Sequence, residues 1–325
     1  MNTHASHAWQ SMYPPLQGHA HGWLDVGDGH QVYWEESGNP LGRPALFVHG
    51  GPGAGCTADD RRWFDPQRYR IVLFDQRGAG RSRPLGCVLA NTTEHLLRDM
   101  EALRQHLHIE RWLIFGGSWG ATLALAYAQR HAQRVDALVL RGVFTATAPE
   151  MRSLYTERPA ELLDAFAAQL HGGDAATVQA AAGAWLRREQ DLMDREGCEV
   201  REVREVPPAR EPAPPQVLPR NADAALAMAR IGVHFARRAF FLRPSQLLID
   251  ATRLRSVPGV IVQGERDLVT APAASRALHQ AWPASQLRLL ASAGHASSHP
   301  AMAQQLIAAT DFFSHPATEA PGAPR

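Results

Sequence analysis

Three observations predict an α/β fold, a mostly parallel, doubly wound sheet with an inserted helical cap. Short runs that are apolar on both faces, such as Ala45-Leu46-Phe47-Val48, alternate with stretches of helical period, as expected of parallel strands covered on both sides. A glycine-rich turn, Gly116-Gly117-Ser118-Trp119-Gly120, joins one such run to a helix-like stretch. Between about Pro149 and Leu247 the strand signals vanish and alanine-rich helical stretches replace them, after which the alternation resumes.

In chain order, residues 31–35 alternate like an edge strand, and 45–48 and 70–74 are short apolar strands ending at His49 and Asp75. Residues 94–108 place Leu96, Leu97, Met100, Leu103 and Leu107 at helical spacing,. A strand at 111–115 leads through the turn into a helix reaching about Arg130, and 135–140 is a further strand. The core is expected at 21–148 and 248–314, with the cap at 149–247 and helices at 160–171, 177–193 and 222–241. Within the cap, residues 195–220 are charged and then Pro-rich, a composition that favours an extended excursion,. Strands at 257–263 and 286–290 and helices at 272–282 and 302–313 complete the core. The polar segment 1–20 and the Pro/Ala-rich tail 315–325 are expected to be flexible,.

A formal net charge of +1 gives no global field to recruit nucleic acid or an anionic membrane surface,. The chain has no lysine, so arginine carries its positive charge. Three scattered cysteines, with no C-x-x-C pair, argue against a disulfide framework or structural zinc and point to a reducing cytoplasm,. The N-terminus lacks the pattern of a secretory signal, and no apolar segment approaches the roughly 20 residues needed to span a bilayer,.

The chemistry centres on the turn at 116–120. Glycines two before and two after a serine, between a strand and a helix, mark a tight bend that exposes the serine Oγ. The alternative is a glycine-rich turn with Ser118 as a helix cap. A serine hydroxyl near neutral pH needs a base, and the base needs an orienting carboxylate. Asp267, in Gly264-Glu265-Arg266-Asp267, and His295, in Ala293-Gly294-His295, each follow a predicted strand after the cap, in the order Ser, Asp, His,. Glu265 competes with Asp267 and His299 with His295. The loop His49-Gly50-Gly51-Pro52-Gly53 can turn backbone N–H groups toward a developing oxyanion; Gly51 and Trp119 are the expected donors,. In Asp75-Gln76-Arg77-Gly78, Asp75 and Arg77 are expected to form an ion pair bracing that loop.

Taken together, HGGPG (49–53), DQRGAGRS (75–82), GGSWG (116–120), GERD (264–267) and AGH (293–295) resemble the proline iminopeptidase family, serine peptidases of the α/β-hydrolase fold. The similarity runs from about residue 20 to 313. It implies release of an N-terminal proline from small peptides without metal or organic cofactor. Ser118 would be the nucleophile, His295 the base and acid, Asp267 the orienter, and Gly51 and Trp119 the oxyanion donors, with Gly50 beside the substrate. It also implies that cap carboxylates read the substrate's amino end. Glu189 matches one of them, whereas Gly232 stands where the family has the second, and Ala296 replaces a serine after the histidine. The same triad under an altered cap would suit an esterase, amidase or lactonase. The substrate is expected to be a small peptide or amide; no oligomeric state is implied.

Overall fold

The computed structural model describes residues 12–156, 158–199 and 221–315. Eight strands form one sheet in the order β1-β2-β4-β3-β5-β6-β7-β8. β1 (Gly18–Asp25), β2 (Gln31–Gly38) and β4 (Tyr69–Phe74) pair antiparallel. β3 (Arg43–Val48), β5 (Trp112–Gly117), β6 (Val135–Arg141), β7 (Gly259–Gly264) and β8 (Ser285–Leu290) continue from β4 in parallel. Every residue of β5 and β7 is buried, which explains their continuous apolar character.

The period of two along each strand divides the core. Leu46, Val48, Val72, Phe74 and Ile114 face one side, with α1 (Thr93–His106), α2 (Trp119–Arg130) and α8 (Pro272–Ala281). Ala45, Phe47, Ile71, Leu73 and Phe115 face the other, packed on α9 (Pro300–Ser314). Each buried Val, Leu, Ile or Phe among them contributes roughly 1.5–3 kcal/mol. The two cores hold the carboxyl ends of β3, β5, β7 and β8 in one row, where the loops carrying the motifs emerge.

Between β6 and β7 lie α3 (Ala148–Leu154), α4 (Pro159–Gly172), α5 (Ala175–Glu199), α6 (Ala222–Ala236) and the short α7 (Gln246–Ile249). α4, α5 and α6 share a small core of their own, with Leu170, Ala182 and Val233 at its centre. α3 was not legible in the sequence. Its N-terminus is set by a capping box, in which Glu150 accepts from Thr147 and Thr145,.

Three expectations are corrected. The segment read as flexible through residue 20 is ordered at its end: Tyr13 Oη donates to Asp311 Oδ1 at 2.7 Å, and β1 starts at Gly18. β1 is polar or glycine at most positions, so no apolar alternation announced it. It also takes the sheet edge that residues 31–35 were expected to hold. The excursion beginning at 195 starts instead as the last turn of α5, which runs to Glu199. The remaining parts of those readings, residues 1–11, 200–220 and 316–325, lie outside the described residues.

Candidate active site

Ser118 sits at the N-cap of α2 with φ 57° and ψ −127°, a conformation an L-residue adopts only when its surroundings over-determine it. Those surroundings are tight. A Cβ on Gly116 would lie 2.3 Å from the Gly120 carbonyl, and one on Gly120 would lie 2.1 Å from the Val48 carbonyl. Only glycines let the helix start so close to β3 and β5. Ser118 N donates to the Arg141 carbonyl at 2.8 Å, tying the bend to β6. The half-buried serine lines a cavity of about 200 Å³, together with Gly50, Gly51, Trp119, Arg141, Glu189 and His295.

Asp267 and His295, both buried, meet across the β7 and β8 loops, with His295 Nδ1 2.8 Å from Asp267 Oδ2. The carboxylate is saturated. Its Oδ1 accepts from Thr270 N at 2.7 Å and Val269 N at 3.0 Å, and its Oδ2 from Thr270 Oγ1 at 2.9 Å and Gln263 Nε2 at 3.1 Å. Burial pushes the Asp267 carboxyl up, but the adjacent imidazole and these hydrogen bonds outweigh it and hold the group below its ordinary value of 3.8,. Glu265, the competing acid, instead pairs with Arg276 on the surface.

His295 Nε2 lies 3.0 Å from Arg141 Nη1, which also donates to the His295 carbonyl at 2.9 Å. Among the described residues no hydrogen bond joins Nε2 to Ser118 Oγ. A guanidinium cannot accept, so Nε2 presents its lone pair and Nδ1 carries the proton toward Asp267. That is the tautomer a general base needs. Arg141 was not singled out from the sequence. Its signal is faint, a cation ending an otherwise apolar strand. Burial lowers its pKa, and Asp267, Glu189 and Glu196 oppose that shift.

The loop after β3 faces the bend. Gly51 has φ 114°, open only to glycine, and a Cβ on it would meet the Gly53 nitrogen at 2.6 Å. Trp119 N–H belongs to the first turn of α2, where backbone donors have no partner within the helix,. Gln76 braces both parts. Its Nε2 donates to the His49 carbonyl at 2.9 Å, its N–H to His49 Nε2 at 3.0 Å, and its Oε1 accepts from Trp119 Nε1 at 2.8 Å. The expected Asp75–Arg77 pair does not form. Asp75 binds Arg81 at 2.8 Å, and Arg77 grips Asp99 with two bonds at 2.7 and 2.9 Å. Asp75 lies just past the end of β4 and Arg77 in the turn that follows, so the two side chains meet different partners, a feature sequence spacing does not reveal.

Sequence comparison matches residues 44–300 to the α/β hydrolase fold family. The chain is 40% identical to a proline iminopeptidase of Xylella fastidiosa over 94% of this chain and 99% of that one. It is 38% identical to one of Arabidopsis thaliana over 93% and 82%, and 37% to one of Neisseria meningitidis over 94% and 99%. The chain belongs to the proline iminopeptidase family. Among solved structures it is similar to a proline iminopeptidase-related protein from Thermus thermophilus (TM-score 0.58, 22% identity, 91% of this chain and 99% of that one). It is also similar to an enol-lactonase from Burkholderia xenovorans (TM-score 0.58, 21% identity, 90% and 100%). Both likenesses concern the fold.

Gly232, where the resemblance implies a carboxylate, has no room for a side chain. A Cβ there would lie 2.8 Å from Trp185 Nε1 and 3.1 Å from Cε2. Trp185 is held by a stacked Tyr155 (centroids 5.7 Å apart) and by the edge of Phe166. The indole therefore fills the space from which a side chain at 232 would start. Glu189, one turn along α5, remains on the cavity wall.

Proposed function

We propose that the protein is a serine aminopeptidase that releases N-terminal proline, or another small residue, from short peptides through an acyl-enzyme. The helices at 149–247 would act as its cap over a core formed by 21–148 and 248–314. The observation that carries this reading is the His295–Asp267 hydrogen bond on the wall of the cavity that Ser118 enters. The relatives' names, proline iminopeptidase, supply the substrate class. A volume of about 200 Å³ is below the ~300–1,000 Å³ of pockets for drug-sized ligands, and suits a single small residue.

Ser118 Oγ attacks the carbonyl carbon of the first residue as His295 Nε2 takes its proton. For this the Arg141 guanidinium moves off Nε2 and the hydroxyl takes its place. The backbone N–H groups of Gly51 and Trp119 receive the oxyanion. Imidazolium, held by Asp267, protonates the leaving amine, and water then attacks the acyl-enzyme with His295 again as base. Glu189 meets the substrate's amino end, and Gly50 lets the chain lie close to the bend. Free thiols at Cys56 and Cys87 fit a reducing compartment, and the cytoplasm is the compartment we assign,. Among the described residues, no helix is long and apolar enough to cross a membrane.

The indole over Gly232 favours a second reading, an esterase, amidase or lactonase, because one cap carboxylate reads an ammonium less tightly than two. Steady-state kinetics of the wild type and Glu189→Gln on prolyl-naphthylamide and on a short ester separate the two. The aminopeptidase reading predicts a KM rise of about ten- to a hundredfold for the free-amine substrate alone, as lost charge-assisted bonds of ~1.5–3 kcal/mol imply. Equal losses on both substrates, or preference for the ester, support the second reading.

A further inference from the structure

Glu196, in the last turns of α5, is 6% exposed and points out of the cap into the core. Its Oε1 accepts from Leu268 N at 2.7 Å, next to Asp267, and its Oε2 accepts from His295 N at 2.8 Å. One carboxylate thus holds the backbone of both loops that carry the Asp267–His295 pair. The opposite wall is shaped for it. A Cβ on Gly294 would lie 2.0 Å from Glu196 Oε2, and its three nearest atoms would all belong to Glu196. Gly294 is outside the left-handed region, so the backbone makes no demand for glycine there. The glycine before the histidine is complementary to a side chain of the inserted helix.

We propose that Glu196 is a positioning residue that couples the seating of α5 to the competence of His295 and Asp267. Seated, it fixes the relative height of the two loops, and its negative charge favours the imidazolium formed during turnover. The charged and titratable groups facing it are Asp267 from the β7 loop, His295 from the β8 loop and Arg141 from the end of β6. Burial raises the Glu196 carboxyl, and the two backbone N–H donors oppose that rise. Because the inference rests on the aminopeptidase reading, its test carries Ser118→Ala as a reference that fails separately.

The experiment compares the wild type with E196Q, E196A, G294A, E196A/G294A and S118A on prolyl-naphthylamide and on an N-blocked ester, across pH 5–9. Gln keeps the size of Glu but turns an NH₂ against one backbone donor, whereas Ala removes both acceptors. The expected order of kcat is wild type, then E196Q, then E196A. E196A should lose about ten- to a hundredfold on both substrates, with KM changed less than about threefold. In E196Q and E196A the acidic limb of kcat/KM moves down by about half a pH unit or more, because a negative charge that favoured imidazolium is gone. G294A alone should match E196A, and adding it to E196A should cost nothing further. Wild-type kcat with an unmoved limb overturns the proposal, as does a loss of thermal stability alone. A KM effect confined to free-amine substrates also overturns it, by assigning Glu196 to amine binding. Retained turnover in S118A would instead sink the underlying reading.

Discussion

Replacing Asp267 with Asn tests how the carboxylate commands the imidazole. The structure decides which way the amide turns. With NH₂ at the Oδ1 position it would oppose Thr270 N and Val269 N, two fixed donors at 2.7 and 3.0 Å. With NH₂ at the Oδ2 position, Thr270 Oγ1 can rotate to accept and His295 can shift its proton to Nε2. Gln263 Nε2, at 3.1 Å, and Arg141 Nη1, at 3.0 Å from His295 Nε2, are then left facing donors, but each keeps a backbone carbonyl, Gln263 those of Gly264 and Thr270 and Arg141 that of His295. The second arrangement strands no donor outright, whereas the first strands two, so the second should prevail, at a stability cost of about 1–3 kcal/mol. Its catalytic consequence is larger, since His295 then presents N–H rather than a lone pair to Ser118. A base in the wrong tautomer costs about 10⁴-fold in kcat, roughly 5 kcal/mol of barrier. The assay is kcat and KM on prolyl-naphthylamide from pH 5 to 9, with a thermal melt in parallel. The folded-state pKa of Asp267 is depressed, so its contribution is complete above the ordinary carboxylate range and is lost only as pH falls through a still lower value. Any activity the wild type loses above the ordinary carboxylate range therefore does not report this carboxylate. A D267N enzyme within about tenfold of wild type would refute the reasoning.

Two further predictions follow from the walls of the cavity. Gln76→Leu strands Trp119 Nε1 and unties His49 from the start of α2. It should lower kcat by about tenfold, with KM nearly unchanged, and stability by about 1–3 kcal/mol; unaltered kcat would show that the oxyanion loop needs no such brace. Gly232→Glu, which places a carboxylate where the sequence resemblance implies one, drives a Cβ into the wedged indole of Trp185. It should lower stability by about 1–3 kcal/mol without improving KM for free-amine substrates; a tighter KM at wild-type stability would contradict the steric account.

Much of this architecture was legible because it rests on local rules. Strands buried on both faces write continuous apolar runs, so β3 to β7 stood out, and the glycines at 116 and 120 announced a bend that only they can make. The loops carrying Asp267 and His295 could be found from their place after β7 and β8. β1 escaped because its ladder is made by the backbone and its side chains carry no alternating pattern. Arg141, Gln76 and Glu196 escaped for another reason. Their partners lie 154, 43 and 99 residues away, and nothing in the flanking residues marks a side chain aimed at so distant a contact. The Asp75–Arg77 pairing failed likewise, since each residue found a better partner, Arg81 and Asp99, through geometry that spacing does not encode.

The most direct test of the central claim is to treat the wild type and H295A with a fluorophosphonate and to map the adduct by mass spectrometry, with turnover of prolyl-naphthylamide measured on the same samples. A hydroxyl activated by His295 and Asp267 predicts one adduct, on Ser118, whose formation tracks the loss of turnover and is slowed by orders of magnitude in H295A. Undiminished turnover with Ser118 fully labelled, or equal labelling rates in the two proteins, would contradict it.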